Sequence, residues 1–175
     1  MADKYYVSYK DFFEGDPTSW SSAEKYYFYS KHKFTDKFLI ENKTMVEWDY
    51  VAEYAKPSEE LLEQVCDIFT PREWNSISFY CFLSEKFIRK HWEKLNWKYL
   101  AAKQILSEKL MNKFADLLDW ETVSKYDLSE DFMRRHADKL YWWYISEKKY
   151  LSEGFIREMK DYVDWDRIWQ YQKWI

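Results

Sequence analysis

Few side chains in this sequence could do chemistry. It has three histidines, His32, His91 and His136, and two cysteines, Cys66 and Cys81. Histidine with cysteine or carboxylate ligates transition metals. A serine or cysteine oriented by histidine serves nucleophilic catalysis. The spacing supports neither. The cysteines lack metal-ligand spacing and read as two free thiols of a reducing compartment. No serine sits in a Gly-rich elbow. Loops that cradle phosphate need glycine, and the chain has only Gly15 and Gly154. Carboxylate neighbours such as Glu59-Glu60, or Asp164 with Asp166, fall at helix starts, where the helix dipole accounts for them. The chain reads as a non-enzyme with no catalytic residues, no cofactor and no metal.

The elements that would position these residues form an internal repeat. Leu-Ser-Glu begins at Leu83, Leu106, Leu128 and Leu151, with spacings of 23, 22 and 23 residues. Fourteen residues after each Leu stands a tryptophan: Trp97, Trp120, Trp142 and Trp165. Three residues further stand Leu100, Val123, Ile145 and Ile168. Two earlier copies are degraded. One starts at Phe34 and runs through Phe38, Leu39, Val46, Trp48 and Val51. The other starts at Pro57-Ser58-Glu59 and reaches Trp74 three residues late.

With the starting residue as offset 0, apolar residues fall at offsets 0, 4, 5 and 12, a helical stripe. Serine at offset 1 is an N-cap, and glutamate at offset 2 suits the positive end of the helix dipole. A second helix begins near offset 13, at Asn96, Asp119 or Asp164. In the second copy Thr70-Pro71-Arg72-Glu73 is a capping box instead. The two helices are expected to be about 11 and 8 residues long, too short to persist alone. The fold class predicted is all-α: a solenoid of about six helix-pair repeats of 22–23 residues with atypical terminal units. Residues 34–175 form the array and residues 1–33 an N-terminal cap or partial repeat, with Phe28 at the aliphatic offset.

Composition narrows the function. Scarce glycine excludes a hairpin-rich β fold. No apolar run approaches 18 residues and the N-terminus lacks a signal-peptide core, so no membrane is expected and the location is cytoplasmic. Net charge is −4, divided as −6 over residues 1–82 and +2 over 83–175. That balance excludes a strongly basic nucleic-acid binder and a wholly acidic mimic. His91 and His136 share offset 8 with Phe114 and Met159, which marks a packing position. Two repeats separate them, about 20 Å at ordinary helix spacing, too far for shared metal ligation.

Two surfaces remain. Offsets 6 and 7 include Arg89-Lys90 and Arg134-Arg135, a basic ladder if the repeats stack. Interleaved with aromatics it could bind single-stranded nucleic acid. It could equally be a solvated face neutralised by the glutamates at offset 2. Offsets 15 and 16 vary between copies and so face solvent. They hold Tyr99, Trp143 and Tyr144, while Trp169 and Trp174 lie close to residue 175. These aromatics are either core or end-cap packing or interface anchors, since tryptophan, tyrosine and arginine dominate interface hot spots and exposed apolar patches mark partners.

The string Leu83-Ser84-Glu85-Lys86-Phe87-Ile88-Arg89, repeated from Leu151 to Arg157 and completed by Val163-Asp164-Trp165 and Tyr171-Gln172-Lys173, resembles a short tandem repeat. That repeat occurs in phage-encoded and large-DNA-virus-encoded proteins. The resemblance covers roughly residues 34–175 and departs at Pro57–Trp74 and at Ile168-Trp169. It implies a viral or phage accessory protein acting in the host cytoplasm, the kind that blocks host machinery, including nuclease defences such as CRISPR. It carries over no functional residue. The reading is a protein-binding inhibitor of a host protein or protein–nucleic-acid complex. Its expected contacts are Tyr99, Trp143, Tyr144, Trp169, Arg89, Lys90, Arg134 and Arg135. The alternative is a nucleic-acid binder using the basic ladder. Oligomeric state stays open.

Overall fold

The structure is a computed structural model that describes residues 5–7, 12, 17, 19–148 and 151–172. Trp174 lies outside them. The chain is all-α. Among the described residues the one extended pairing is a two-residue parallel ladder between β1 (Tyr5–Tyr6) and β2 (His32–Lys33). Two compact units follow along the chain, Met1–Lys103 and Gln104–Ile175.

In the first unit, α1 (Ser22–Lys31) opens with a capping box between Ser21 and Glu24. Next come α2 (Asp36–Glu41) and α3 (Trp48–Tyr50), which runs on into a π-helical turn at Val51–Ala55. That turn ends at Lys56 in the left-handed region, φ 50°. Pro57 follows, and a residue before proline is pushed away from right-handed helix. The unit continues with α4 (Glu59–Val65) and its 3₁₀ extension Cys66–Ile68, then α5 (Pro71–Tyr80), α6 (Glu85–His91) and α7 (Trp97–Lys103). The Thr70–Glu73 capping box with proline at the helix start is present at α5. The second unit holds α8 (Glu108–Lys113) with a 3₁₀ turn at Ala115–Leu117, α9 (Trp120–Val123), α10 (Glu130–Arg135), α11 (Trp142–Ser146), α12 (Glu153–Glu158) and α13 (Trp165–Tyr171).

Helices two apart in sequence pack together: α2 on α4, α3 on α5, α5 on α7, and α11 on α13. In these pairs one first helix meets the first helix of the next repeat, α2 on α4, and second helices meet second. The predicted stripe supplies the contact. Phe87, Leu110, Phe132 and Phe155 at offset 4 are buried, and Leu100, Val123, Ile145 and Ile168 at offset 17 are 0% exposed.

Three hydrogen bonds recur. The first uses the capping serines. Ser58, Ser84, Ser107, Ser129 and Ser152 each accept the N–H three residues on, at 3.1–3.2 Å. Three of the same serines also donate backwards. Ser84, Ser129 and Ser152 give both N–H and hydroxyl to Glu59, Glu108 and Glu130, the offset-2 glutamates of the preceding repeats. These glutamates therefore do more than face their own helix dipole: each clasps the next cap.

The second bond comes from the repeat tryptophans. Trp48, Trp97, Trp120, Trp142 and Trp165 donate Nε1–H to the carbonyl five residues earlier, at 2.7–3.1 Å. The acceptor lies just past the first helix, among carbonyls that a helix C-terminus leaves unpaired. This explains a departure from the sequence reading: α2, α4, α6, α8, α10 and α12 are 6 or 7 residues long, not about 11. The chain turns early, and the indole takes up a freed carbonyl.

The third bond sits at offset 18. Ser78, Ser124 and Ser146 are 0% exposed. Their hydroxyls accept the N–H of Asn96, Tyr141 and Asp164 in the next repeat at 2.8–2.9 Å. Ser78 and Ser124 also donate to the carbonyls of Trp74 and Trp120. Tyr29 takes this role for the first full repeat, accepting the Glu47 N–H at 2.8 Å.

Replacing Ser124 with alanine strands the Tyr141 N–H inside the second unit. The expected cost is about 1–3 kcal/mol, read as a lower urea midpoint. A loss under about 0.5 kcal/mol, the ordinary range for surface changes, would show that the bridge contributes nothing. A second test uses Lys148, whose ammonium is buried with no hydrogen-bond partner among the described residues. Burial pulls its pKa from 10.5 down to about 8, with Asp127 partly opposing. Between those values the unfolded chain binds more protons than the folded one, so stability rises with pH. The midpoint advantage of Lys148→Met over wild type should therefore shrink from pH 8 to 10.5. An advantage constant across that range would contradict the burial of the charge.

Candidate protein-interaction site

Trp143 and Tyr144 project from α11 because Trp142 and Ile145, at offsets 14 and 17, turn inward. Trp142 is 8% exposed and Ile145 0%, while Trp143 is 48% exposed. The Arg167 guanidinium from α13 lies 3.5 Å from the Trp143 ring centroid. Arg167 is itself held by Glu147, with Asp164 3.7 Å away. Tyr144 stands edge-on to Trp143 at 4.7 Å. Lys125, just beyond α9, has its ammonium 4.6 Å from the Tyr144 centroid. Lys125, Tyr144, Trp143 and Arg167 thus form a strip across three successive repeats, two adjoining rings with a cation at each end. A cation over an aromatic face is favourable by about 0.5–1 kcal/mol when exposed, so the strip is partly ordered before any partner arrives.

Trp165 and Trp169 sit four residues apart on α13 and so share a face. They are 41% and 68% exposed. In earlier repeats the offset-14 tryptophan is roofed by the next first helix: Trp120 stacks on Phe132 and Trp142 on Phe155, each at 6.1 Å. Trp169 takes the offset at which Ser78, Ser124 and Ser146 bury a hydroxyl.

Tyr99 belongs to the first unit. It is 36% exposed and meets Phe79 edge-on at 5.2 Å. With Arg72, Asn75, Ser76 and Tyr80 these two rings line a cleft of about 370 Å³. Lys103 caps the Phe79 ring at 3.9 Å.

The basic residues are largely spoken for. Arg89 pairs with Glu85 at 3.2 Å, and Lys90 with Glu63 of the preceding repeat. Arg134 meets Asp131 at 2.8 Å, Glu158 of the next repeat at 2.8 Å and Glu130 at 3.5 Å. Arg135 is exposed, with no ion pair among the described residues. Arg89 and Lys90 lie in the first unit, Arg134 and Arg135 in the second. Arg89, Lys90 and Arg134 are internally neutralised, by Glu63 and Glu158 of neighbouring repeats as much as by the offset-2 glutamates Glu85 and Glu130 of the same helices.

The histidines use the same register. His136 Nε2–H donates to Asn112 Oδ1 at 2.7 Å, and burial, with Lys139 and Arg135 nearby, lowers its pKa. His91, 8% exposed, donates Nε2–H to Glu63 Oε1 at 3.1 Å. Its ring lies 5.2 Å from Trp74 and 4.5 Å from Phe87. Cys66 completes this group: one ligand atom from each of Glu63, Cys66 and His91 lies within 4.8 Å of the others. Burial and the Glu63 charge raise the Cys66 thiol, while Lys90 holds the Glu63 carboxyl below its usual range. Sequence spacing missed this cluster because its members come from two repeats. Offset arithmetic could have found it: Glu63 and Cys66 are offsets 6 and 9 of one repeat, His91 offset 8 of the next. Cys81 is a buried free thiol, pushed up to about 12 by burial.

No family model, curated protein or solved structure matches the chain. The arginines can be sorted by experiment. Arg134→Glu sets a fourth carboxylate among three and is expected to lower the urea midpoint, whereas Arg135→Glu leaves it unchanged. Equal and negligible effects in urea melts would mean that the Arg134 network carries no structural weight and the arginine is free for a ligand.

Proposed function

We propose that this chain is a non-catalytic helical repeat module, a short α-solenoid, that binds another protein through the aromatic face of its second unit. The observation that carries the reading is the strip Lys125–Tyr144–Trp143–Arg167, with Trp143 48% exposed and stacked on Arg167. Tryptophan, tyrosine and arginine are the residue types that concentrate binding energy in interfaces. Rings held by fixed neighbours lose little side-chain entropy on binding. Trp165 and Trp169 extend the apolar area on α13 and are the further contacts. Tyr99 and its cleft in the first unit are a separate, smaller contact.

The resemblance of the Leu-Ser-Glu-x-Phe-Ile repeat to phage and large-DNA-virus proteins supports a host protein as partner. A defence nuclease or its nucleic-acid complex fits that setting. Inhibition is then a steric block, with affinity from the tryptophans and encounter rate from charge asymmetry. The nucleic-acid reading is the weaker one, because Arg89, Lys90 and Arg134 are engaged in ion pairs.

The test is retention of host proteins by tagged chain after nuclease treatment, comparing wild type with Trp143→Ser/Trp169→Ser of unchanged circular dichroism. A protein kept by wild type and lost at least tenfold by the variant is expected, since one hot-spot ring contributes about 2 kcal/mol or more. Recovery of nucleic acid alone, sensitive to salt and gone after nuclease, would overturn the proposal in favour of the basic register.

A further inference from the structure

We propose that Glu63, Cys66 and His91 form a binding site for a divalent borderline transition metal, with zinc the ion it fits best. Carboxylate, thiolate and imidazole are together the donor set of zinc, which takes four ligands tetrahedrally at about 2.0–2.3 Å. Those bond lengths separate ligand atoms by about 3.3–3.8 Å. The Glu63 oxygen and His91 nitrogen are 3.1 Å apart, and all three ligand atoms lie within 4.8 Å of one another. Closing the set takes shifts of about an ångström. Softer thiolate and imidazole donors select against magnesium and calcium, which require oxygen ligands.

The surroundings suit a metal centre. Trp74 and Phe87 pack against the His91 ring and fix its direction. Glu63 Oε1 faces His91 while Oε2 is engaged by Lys90, so the carboxylate can bind the ion through one oxygen and keep the lysine on the other. Outer partners of this kind orient metal ligands. Binding displaces the Cys66 thiol proton to solvent and takes the His91 tautomer with its proton on Nδ1, which leaves Nε2 free to ligate. Thiolate and carboxylate then balance the two charges of the ion. The fourth position falls to water or a partner's side chain, and Glu63 also borders a cleft of about 320 Å³ shared with Phe87 and Lys90.

The second unit holds an internal control. His136 meets Asn112 in the same register, at offsets 8 and 6, and Ala115 takes the place of Cys66. That copy keeps the hydrogen bond and has neither carboxylate nor thiol. A histidine–offset-6 contact is therefore all the packing requires. The glutamate and cysteine around His91 are additions to it.

Cobalt(II) titration of the reduced full-length chain tests the site. One equivalent is expected to give a thiolate-to-cobalt charge-transfer band and tetrahedral d–d bands, both displaced by zinc. The bands should survive Cys81→Ser and vanish in Cys66→Ser, while His91→Gln and Glu63→Gln weaken cobalt affinity by about tenfold or more. Circular dichroism of each variant separates loss of the site from loss of fold. Absence of a thiolate band in the wild type at excess cobalt, or a band indifferent to Cys66→Ser, would overturn the proposal.

Discussion

Three capping serines, Ser84, Ser129 and Ser152, have one hydroxyl and two tasks each, and the packing of repeat on repeat depends on their coinciding. The oxygen accepts an N–H from its own helix, while its proton and the serine N–H go to a glutamate of the preceding repeat, as at Ser84, Ser129 and Ser152. A helix of 6 or 7 residues has too few internal bonds to outweigh the entropy of ordering it. Here the helix start and the inter-repeat contact form in one step. Folding one repeat prepares the acceptor for the next cap, the nearest-neighbour coupling expected of repeat proteins.

The buried serines and the repeat tryptophans extend that logic to the turns. Compact helix pairs with almost no glycine face an accounting problem at every reversal, because buried backbone groups need partners. Indole N–H groups take carbonyls freed where first helices end, and offset-18 hydroxyls take N–H groups freed where second helices begin. Tryptophan is thus required for its donor as well as its area, and phenylalanine could not replace it at Trp120 or Trp142. At Tyr29 a phenol does the work of a serine, so the requirement is for a buried hydroxyl and not for a residue type.

These structural demands consume most of the charge. Much of the charge at offsets 2, 6 and 7 is tied into pairs within and between repeats, Arg135 excepted, while aromatic residues of the second helices stay exposed. The strip around Trp143 and the cluster around His91 arise in different ways. The first uses positions that packing leaves free to vary, offsets 15 and 16. The second modifies a packing position, since the histidine register recurs at His136 without its ligands.

The sequence by itself determined the helical class, the repeat period and the phase of its buried stripe. Periodic apolar residues with serine caps leave one way to make each short helix, and Phe132, Ile145 and their counterparts are buried as their offsets require. It also pointed to Trp143 as outward, because positions that tolerate any residue are seldom in a core. The tertiary structure alone decided what the polar residues do. A glutamate at offset 2 reads locally as a dipole partner, and only the stacked neighbour reveals that it clasps the next serine. Glu63, Cys66 and His91 look unrelated along the chain, 28 residues from first to last. Hydrophobic burial has a period that one strand of text displays, whereas hydrogen bonds and ligand sets depend on which side chains two repeats bring within about 3 Å.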